Sequence, residues 1–131
     1  MPPRLPFSVT LRPGEPVAEQ VVYAVTRAVV SGQLRPGDPF PSVRTLSQEL
    51  RINPNTAHRI VASLTGEGML AVRPGVGTVV SGAPDATPER REALAIEVER
   101  LVVEAKRAGL TLQQTLALVR EQWARTSRRA G

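Results

Sequence analysis

Cysteine is absent from this 131-residue sequence, and histidine and lysine occur once each. Without cysteine there is no disulfide framework and no thiolate metal site, and a lone histidine makes a zinc site implausible. No apolar run approaches the ~20 residues that span a bilayer, and residues 1–10 lack the apolar core of a signal peptide. These absences predict a soluble cytoplasmic protein with no membrane partner, no metal and no cofactor.

Positive charge is in excess, since the formal net charge is +5 and every basic residue except Lys106 is an arginine. Such a balance suits a polyanionic partner. However, residues 1–82 carry eight arginines against five acids, and residues 83–131 carry nine basic residues against seven acids. The two parts have similar excesses, so the totals do not locate a binding surface.

Helical periodicity begins after a proline-rich lead-in. Residues 1–15 contain four prolines and predict an extended segment with a short strand at 7–11. From Pro16, valines recur at helical spacing until Ser31-Gly32, which predicts a first helix. A proline-punctuated turn over residues 34–41 then separates it from the next helix.

Two short capped helices follow this turn. Ser42 is a suitable N-cap for the first, and Asn53 before Pro54 is a strong start signal for the second, which Gly66 and Gly68 end. Their apolar faces are formed by Val43, Leu46 and Leu50 in the first helix and by Ala57, Ile60, Val61 and Leu64 in the second.

Short runs of β-forming residues at 69–72 and 78–80 surround a glycine-rich turn at 74–77, which predicts a hairpin. Two short helices joined by a tight turn and followed by a hairpin are the layout of a winged helix-turn-helix. We therefore predict a mainly α fold with a small β-wing, and double-stranded DNA as its partner.

A C-terminal pair of helices is predicted beyond a linker of small residues. Thr87 before Pro88 begins one helix, and Thr111 with Gln114 forms a capping box for the other. Apolar stripes on both helices predict that the two pack on each other. Three further apolar residues, Ile96, Val103 and Leu118, lie off these stripes and leave surface for a partner.

The sequence thus divides into a winged helix-turn-helix DNA-binding domain at 1–82, a linker at 83–86 and a C-terminal helical dimerisation region at 87–131. Coverage of the winged helix by the apolar surface of the same chain is the alternative to dimerisation. The residues assigned to dimerisation are Leu94, Val98, Leu101, Val102, Ala105, Leu112, Leu116, Val119 and Trp123.

A polar face opposite the apolar stripe of the third helix is the candidate DNA-binding site. Asn55 is suited to adenine and Arg59 to guanine, and polar groups at the helix start are suited to phosphate. Hairpin glycines let the backbone approach a minor groove or a phosphate. The residues predicted to bind DNA are Ser42, Arg44, Asn53, Asn55, Thr56, His58, Arg59, Arg73, Gly75, Gly77 and Thr78.

A solvated helix face is the commoner explanation for any one of these polar residues, and the hairpin alone is equally consistent with a simple tight turn. The capped helix, the upstream Arg44 and the downstream glycine hairpin occur together, and this combination favours DNA binding. His58 has no cysteine or serine at an identifiable spacing, which makes a catalytic role improbable.

Several motifs in this order resemble the winged-helix domain of the GntR family of bacterial transcription regulators. They are GQLRPGDPFPSVRTLSQEL, NPNTAHRIVASL, EGML and RPGVGTVV, and the short two-helix C-terminal part is similar to the YtrA-type branch. The resemblance covers residues 7–82 well and 87–126 more loosely. It implies DNA contacts at the positions of Arg44, Asn53, Asn55, Thr56, His58, Arg59 and Gly75.

Two positions depart from the family pattern. Phe40 stands where leucine is usual before Pro-Ser, and Ala57 stands where a larger aliphatic residue is common. Both substitutions affect packing rather than polar contacts.

The resemblance implies a homodimeric, sequence-specific repressor of a near-palindromic operator, often controlling its own operon and nearby transporter genes. Two alternatives remain open: a module that senses a small-molecule effector, for which two C-terminal helices leave little room, and a protein-interaction adaptor. An enzyme is the least favoured, because no nucleophile-base pair, metal cluster or phosphate loop is present.

Overall fold

Five helices and two strands occur in residues 5–82 and 85–127, the part of the chain that the computed structural model describes. Residues 5–82 belong to one compact unit and residues 85–127 to another. The mainly helical fold with a small β-wing is confirmed. The elements are α1 (Val17–Val30), α2 (Val43–Leu50), α3 (Pro54–Gly66), β1 (Leu70–Arg73) and β2 (Gly77–Val80) in the first unit, and α4 (Pro88–Arg107) and α5 (Leu112–Ser127) in the second.

The first unit is built around large aliphatic side chains contributed by α1, α2, α3 and both strands. Burial of one such side chain stabilises the fold by about 1.5–3 kcal/mol. On α2 and α3, Leu46, Ile60 and Leu64 of the predicted apolar faces are fully buried. Val43, Leu50 and Val61 of the same faces are half-buried. Ala57 is also fully buried, between α3 and the rest of the core. The fully buried large side chains are Val21, Val25, Leu46, Ile60, Leu64, Leu70 and Val80.

The proline-rich lead-in does not form the predicted strand at 7–11. Alternate side chains, those of Leu5, Phe7, Val9 and Leu11, pack against the helical core, whereas Ser8 and Thr10 are exposed. This alternation is typical of a strand, but no strand among residues 5–82 and 85–127 pairs with the segment to form a ladder. The prediction was wrong because alternate burial on helices produces the same sequence pattern as a half-buried strand.

The predicted hairpin is confirmed, with each strand one residue from its expected limits. β1 and β2 are antiparallel and pair from Leu70 opposite Val80 to Arg73 opposite Gly77. The segment before α2 holds the base of this hairpin, because Phe40 donates its N–H to the Thr78 carbonyl at 2.9 Å and Val80 donates to Asp38 at 2.8 Å. The wing is therefore tied to the start of α2.

Local caps begin the two helices of the second unit, as predicted. Thr87 Oγ1 accepts the Arg90 N–H at 3.1 Å. Thr111 and Gln114 form the reciprocal capping box, with distances of 2.8 and 3.1 Å. Helix α5 continues to Ser127.

The predicted packing of the α4 and α5 stripes on each other is largely wrong. Ala105 and Thr115 are the buried residues among the described part of this unit, whereas Leu94, Val98, Leu112 and Trp123 remain exposed. The small side chains at 105 and 115 let the two helices approach near their connection, and the larger apolar residues extend beyond this contact.

Candidate nucleic-acid interface

The start of α3 is fixed by its own sequence. Asn53 is extended, with φ −60° and ψ 135°, and its Oδ1 accepts the Asn55 N–H at 2.7 Å, while Pro54 occupies the first helical turn. This cap consumes the oxygen of the Asn53 side chain, and the amide nitrogen has no hydrogen-bond partner among the described residues. Asn53 can thus cap the start of α3 and still donate to a ligand.

The two faces of α3 differ in chemistry as predicted. Ala57, Ile60 and Leu64 are buried against the first-unit core, and this anchors the helix. On the other side Asn55, His58 and Arg59 are exposed, and Thr56 is half-buried. The structure thus presents amide, imidazole and guanidinium groups on one rigid helical face.

The start of α2 contains two of the predicted residues, in different situations. Ser42 Oγ accepts the Thr45 N–H and donates to Thr45 Oγ1, both at 3.1 Å, so its hydroxyl is engaged in the cap. Arg44 is exposed and follows this cap by two residues. Helix capping therefore explains the presence of a hydroxyl at Ser42, whereas the side chain of Arg44 is available to a ligand.

The wing turn depends on its glycines. Gly75 has φ +76° and Gly77 has φ +110°, and beyond their chain neighbours no atom of a described residue lies within 4 Å of where a Cβ would stand on either. Backbone conformation, not crowding, is what requires glycine at these positions. The Val76 N–H donates to the Arg73 carbonyl at 3.0 Å, and Val76 and Arg73 are both exposed. Thr78 is half-buried at the base of the wing.

Several arginines of the second unit form ion pairs, whereas the described residues provide none for the arginines of the helix-turn-helix and wing. In the second unit three arginines lie within 4 Å of a glutamate one helical turn away, with N–O distances of 3.7, 3.6 and 2.9 Å. From α2 to the wing, no arginine has a hydrogen bond or ion pair through its side chain within the described residues. These exposed arginines are Arg44, Arg51, Arg59 and Arg73.

Arg51 was not among the residues predicted from sequence. It is the C-cap of α2, in the turn before Asn53, and its left-handed backbone has φ 55° and ψ 49°. A basic residue two positions before the N-cap of the third helix is the sequence signal that could have identified it.

An apolar groove of about 540 Å³ lies between α4 and α5. The sequence predicted little room for a pocket here, and this was wrong because the helices contact mainly where their side chains are small. Of the predicted dimerisation residues, Leu101, Ala105, Val119 and Trp123 line the groove; Leu94, Val98, Val102, Leu112 and Leu116 do not. The remaining apolar lining comes from Ala108, Leu110 and Leu118.

None of the helices within residues 5–82 and 85–127 is both long enough and apolar enough to cross a membrane.

Three helices around one core, an exposed polar face on the third of them and a hairpin wing define the class of winged helix-turn-helix DNA-binding proteins. Residues 17–80 match the family described as bacterial regulatory proteins, gntR family. The chain belongs to the GntR family, and it is a DNA-binding transcriptional regulator.

Relatives from Bacillus subtilis extend this match beyond the winged helix. The uncharacterized HTH-type transcriptional regulator YhcF is 33% identical over 101 residues, which cover 76% of this chain and 80% of YhcF. The HTH-type transcriptional repressor YtrA is 29% identical over 112 residues, 84% of this chain and 86% of YtrA. The resemblance to the YtrA-type branch is thus confirmed.

Solved structures share the fold. A transcriptional antiterminator from Listeria monocytogenes aligns with a TM-score of 0.79 at 20% identity, covering 92% of each chain. YtrA from Sulfolobus acidocaldarius, a GntR-family transcription factor, aligns with a TM-score of 0.54 at 20% identity, covering 90% of this chain and 97% of that one.

Proposed function

We propose that this regulator is a homodimeric repressor that binds a near-palindromic operator through α3 and the wing. The observation that carries the proposal is the exposed polar face of α3 on a helix whose opposite face is buried in the core. Asn55 would pair with adenine and Arg59 with guanine in the major groove. His58 lies on the same face and would contact a base edge or a phosphate.

The remaining predicted residues would hold the protein on the DNA backbone. Arg44 and the groups at the start of α3, namely Asn53 and Thr56, would bind phosphates beside the groove. Arg73 would contact the backbone next to the wing, whose Gly75 and Gly77 leave the turn without side chains at those points. Such contacts fix the position of the helix and do not themselves select a sequence.

Dimerisation is supported by the second unit's lack of a core. A unit of this size rarely folds alone, and most of the stability of helices in proteins comes from packing of their apolar faces. Most of its large apolar residues are exposed, and a second copy offers the same two helices to cover them. We assign the groove between α4 and α5, together with the adjoining stripes, to the partner subunit.

A two-fold dimer would set the two α3 helices about 34 Å apart, or a multiple of this distance, which implies a near-palindromic site. The name of YtrA from Bacillus subtilis describes a repressor, and we extend repression to this chain. We further propose that it acts in the bacterial cytoplasm, without catalysis, on its own operon and transporter genes.

Selection of bound fragments from a genomic DNA pool tests the operator. We expect the recovered sites to contain two inverted half-sites. On such a site, Arg59→Ala should weaken specific binding about 10- to 100-fold, since a bidentate base contact is worth about 1–3 kcal/mol. Arg27→Ala, which removes an exposed arginine from α1, is the matched control and should bind like the wild type.

Unchanged specific affinity in Arg59→Ala would show that the base-contact assignment is wrong. Failure of the wild type to select any DNA would favour the protein-interaction adaptor.

Sedimentation velocity tests the dimer with two matched charge substitutions. Leu101→Glu places a carboxylate in the groove and should give a monomer, whereas Ala117→Glu adds a carboxylate at an exposed position of α5 that does not line the groove and should remain a dimer. A wild-type monomer that binds an apolar metabolite in calorimetry would favour the sensor instead.

A further inference from the structure

Arg51 adopts a backbone conformation that this chain otherwise assigns to glycine. Eight glycines have positive φ within the described residues, and Arg51 is the one residue of another type that does. At φ 55° the Cβ of an L-residue crowds its own backbone, so glycine is favoured there by sterics alone.

The turn needs the backbone of Arg51 but not its side chain. The N–H groups of Arg51 and Ile52 both donate to the Ser47 carbonyl, the second at 3.1 Å, and Ser47 Oγ donates back to the Ile52 carbonyl at 2.7 Å. Glycine at position 51 would preserve every one of these bonds. The guanidinium is exposed and has no hydrogen bond or ion pair in the described part of the chain.

The position of this guanidinium indicates what it contacts. Arg51 precedes the Asn53 cap by two residues, which places their Cα atoms within about 7 Å of each other. In a helix-turn-helix the first helix of the pair crosses the DNA backbone and the second enters the groove, so the turn between them lies beside phosphates. A residue outside α3 is poorly placed for base edges and well placed for the strand that flanks them.

We infer that Arg51 binds a DNA phosphate and that the unfavourable backbone conformation is retained for this contact. The inference rests on the proposed use of α3 in the major groove. It adds a contact with the DNA backbone to that interface. Replacing Arg51 with glycine should therefore make the fold more stable and the DNA complex weaker.

The test compares Arg51→Gly, Arg51→Asn and Arg51→Lys in thermal unfolding and in binding to a mixed-sequence DNA duplex. Arg51→Gly should raise the midpoint of unfolding by roughly 4–8 °C. It should also weaken binding about tenfold. The plot of log affinity against log salt concentration should become less steep by about 0.9, the value for one phosphate contact.

The other variants separate charge from backbone conformation. Asparagine tolerates the left-handed region but carries no charge. Arg51→Asn should therefore show the same loss of DNA affinity and the same weaker salt dependence as Arg51→Gly. Arg51→Lys keeps the charge and should keep the slope. If Arg51→Gly and Arg51→Asn bind with wild-type affinity and slope, the inference is wrong and the proposed function stands. If the wild type does not bind DNA, both fail.

Discussion

The rings of Phe7 and Phe40 lie parallel, at an interplanar angle of 1°, with their centroids 5.9 Å apart. Phe7 comes from the lead-in and covers the ring of Phe40, which lies in the turn before α2. Both rings are buried. Because the backbone of Phe40 also bonds to Thr78, the lead-in, the start of α2 and the wing form one packed assembly.

The aromatic stack should contribute to stability beyond the area that the two rings bury. In a double-mutant cycle of Phe7→Leu, Phe40→Leu and the double variant, we expect a coupling free energy of about 0.5–1.5 kcal/mol in urea unfolding. Strictly additive effects would mean that the rings are neighbours without a specific interaction.

The Asn53 cap should be separable from DNA binding. Asn53→Ala removes the acceptor for the Asn55 N–H and should lower the free energy of unfolding by about 0.5–2 kcal/mol. Asn53→Asp preserves the acceptor and should be close to the wild type in stability, but its negative charge beside phosphate should weaken DNA binding. Denaturation and anisotropy titrations on the same samples check both effects, and an alanine variant of unchanged stability would contradict the capping role.

Two glycines with open surroundings should respond oppositely to alanine. Gly75 has positive φ, so Gly75→Ala should cost about 1–2 kcal/mol of stability, although a methyl group there would meet no described residue other than its chain neighbours. Gly66 ends α3 without positive φ, and Gly66→Ala should stabilise by up to about 1 kcal/mol. Thermal melts of the pair measure this, and equal effects would show that backbone conformation is not the cause.

The single tryptophan should report on the proposed dimer. Trp123 lines the groove of the second unit and is 73% exposed in the single chain. A partner subunit seated there would bury it, so its fluorescence emission should move to longer wavelength as the protein is diluted and the dimer dissociates. The Leu101→Glu variant should show the long-wavelength emission at every concentration. A dimer in which Trp123 already emits as an exposed indole would place the interface elsewhere.

Helix starts were the part of this structure most fully predictable from sequence. Ser42, Asn53, Thr87 and Thr111 each cap a helix through a bond to a residue two or three positions away. Both partners of such a bond are visible in a few letters of sequence. The buried and exposed faces of α3 were also predictable, because helical geometry alone assigns residues to faces.

The lead-in and the C-terminal helices were not predictable in the same way. Whether the segment around Phe7 is a strand depends on a partner strand, and whether α4 and α5 pack closely depends on how they meet at Ala105 and Thr115. The net charges of the two parts of the chain, +3 and +2, could not show which arginines lack an acidic neighbour.

The sequence by itself therefore determined the family, the order of the elements, the helix caps and the polar face of α3, since all of these rest on local bonds and periodicity. Tertiary structure alone decided the stacking of Phe7 on Phe40 and the groove between α4 and α5. It also left the arginines from α2 to the wing exposed and without ion pairs to the described residues. It also placed Arg51 in the left-handed region. These features depend on contacts between residues distant in the chain, or on the path that the packed helices impose on the turn between them.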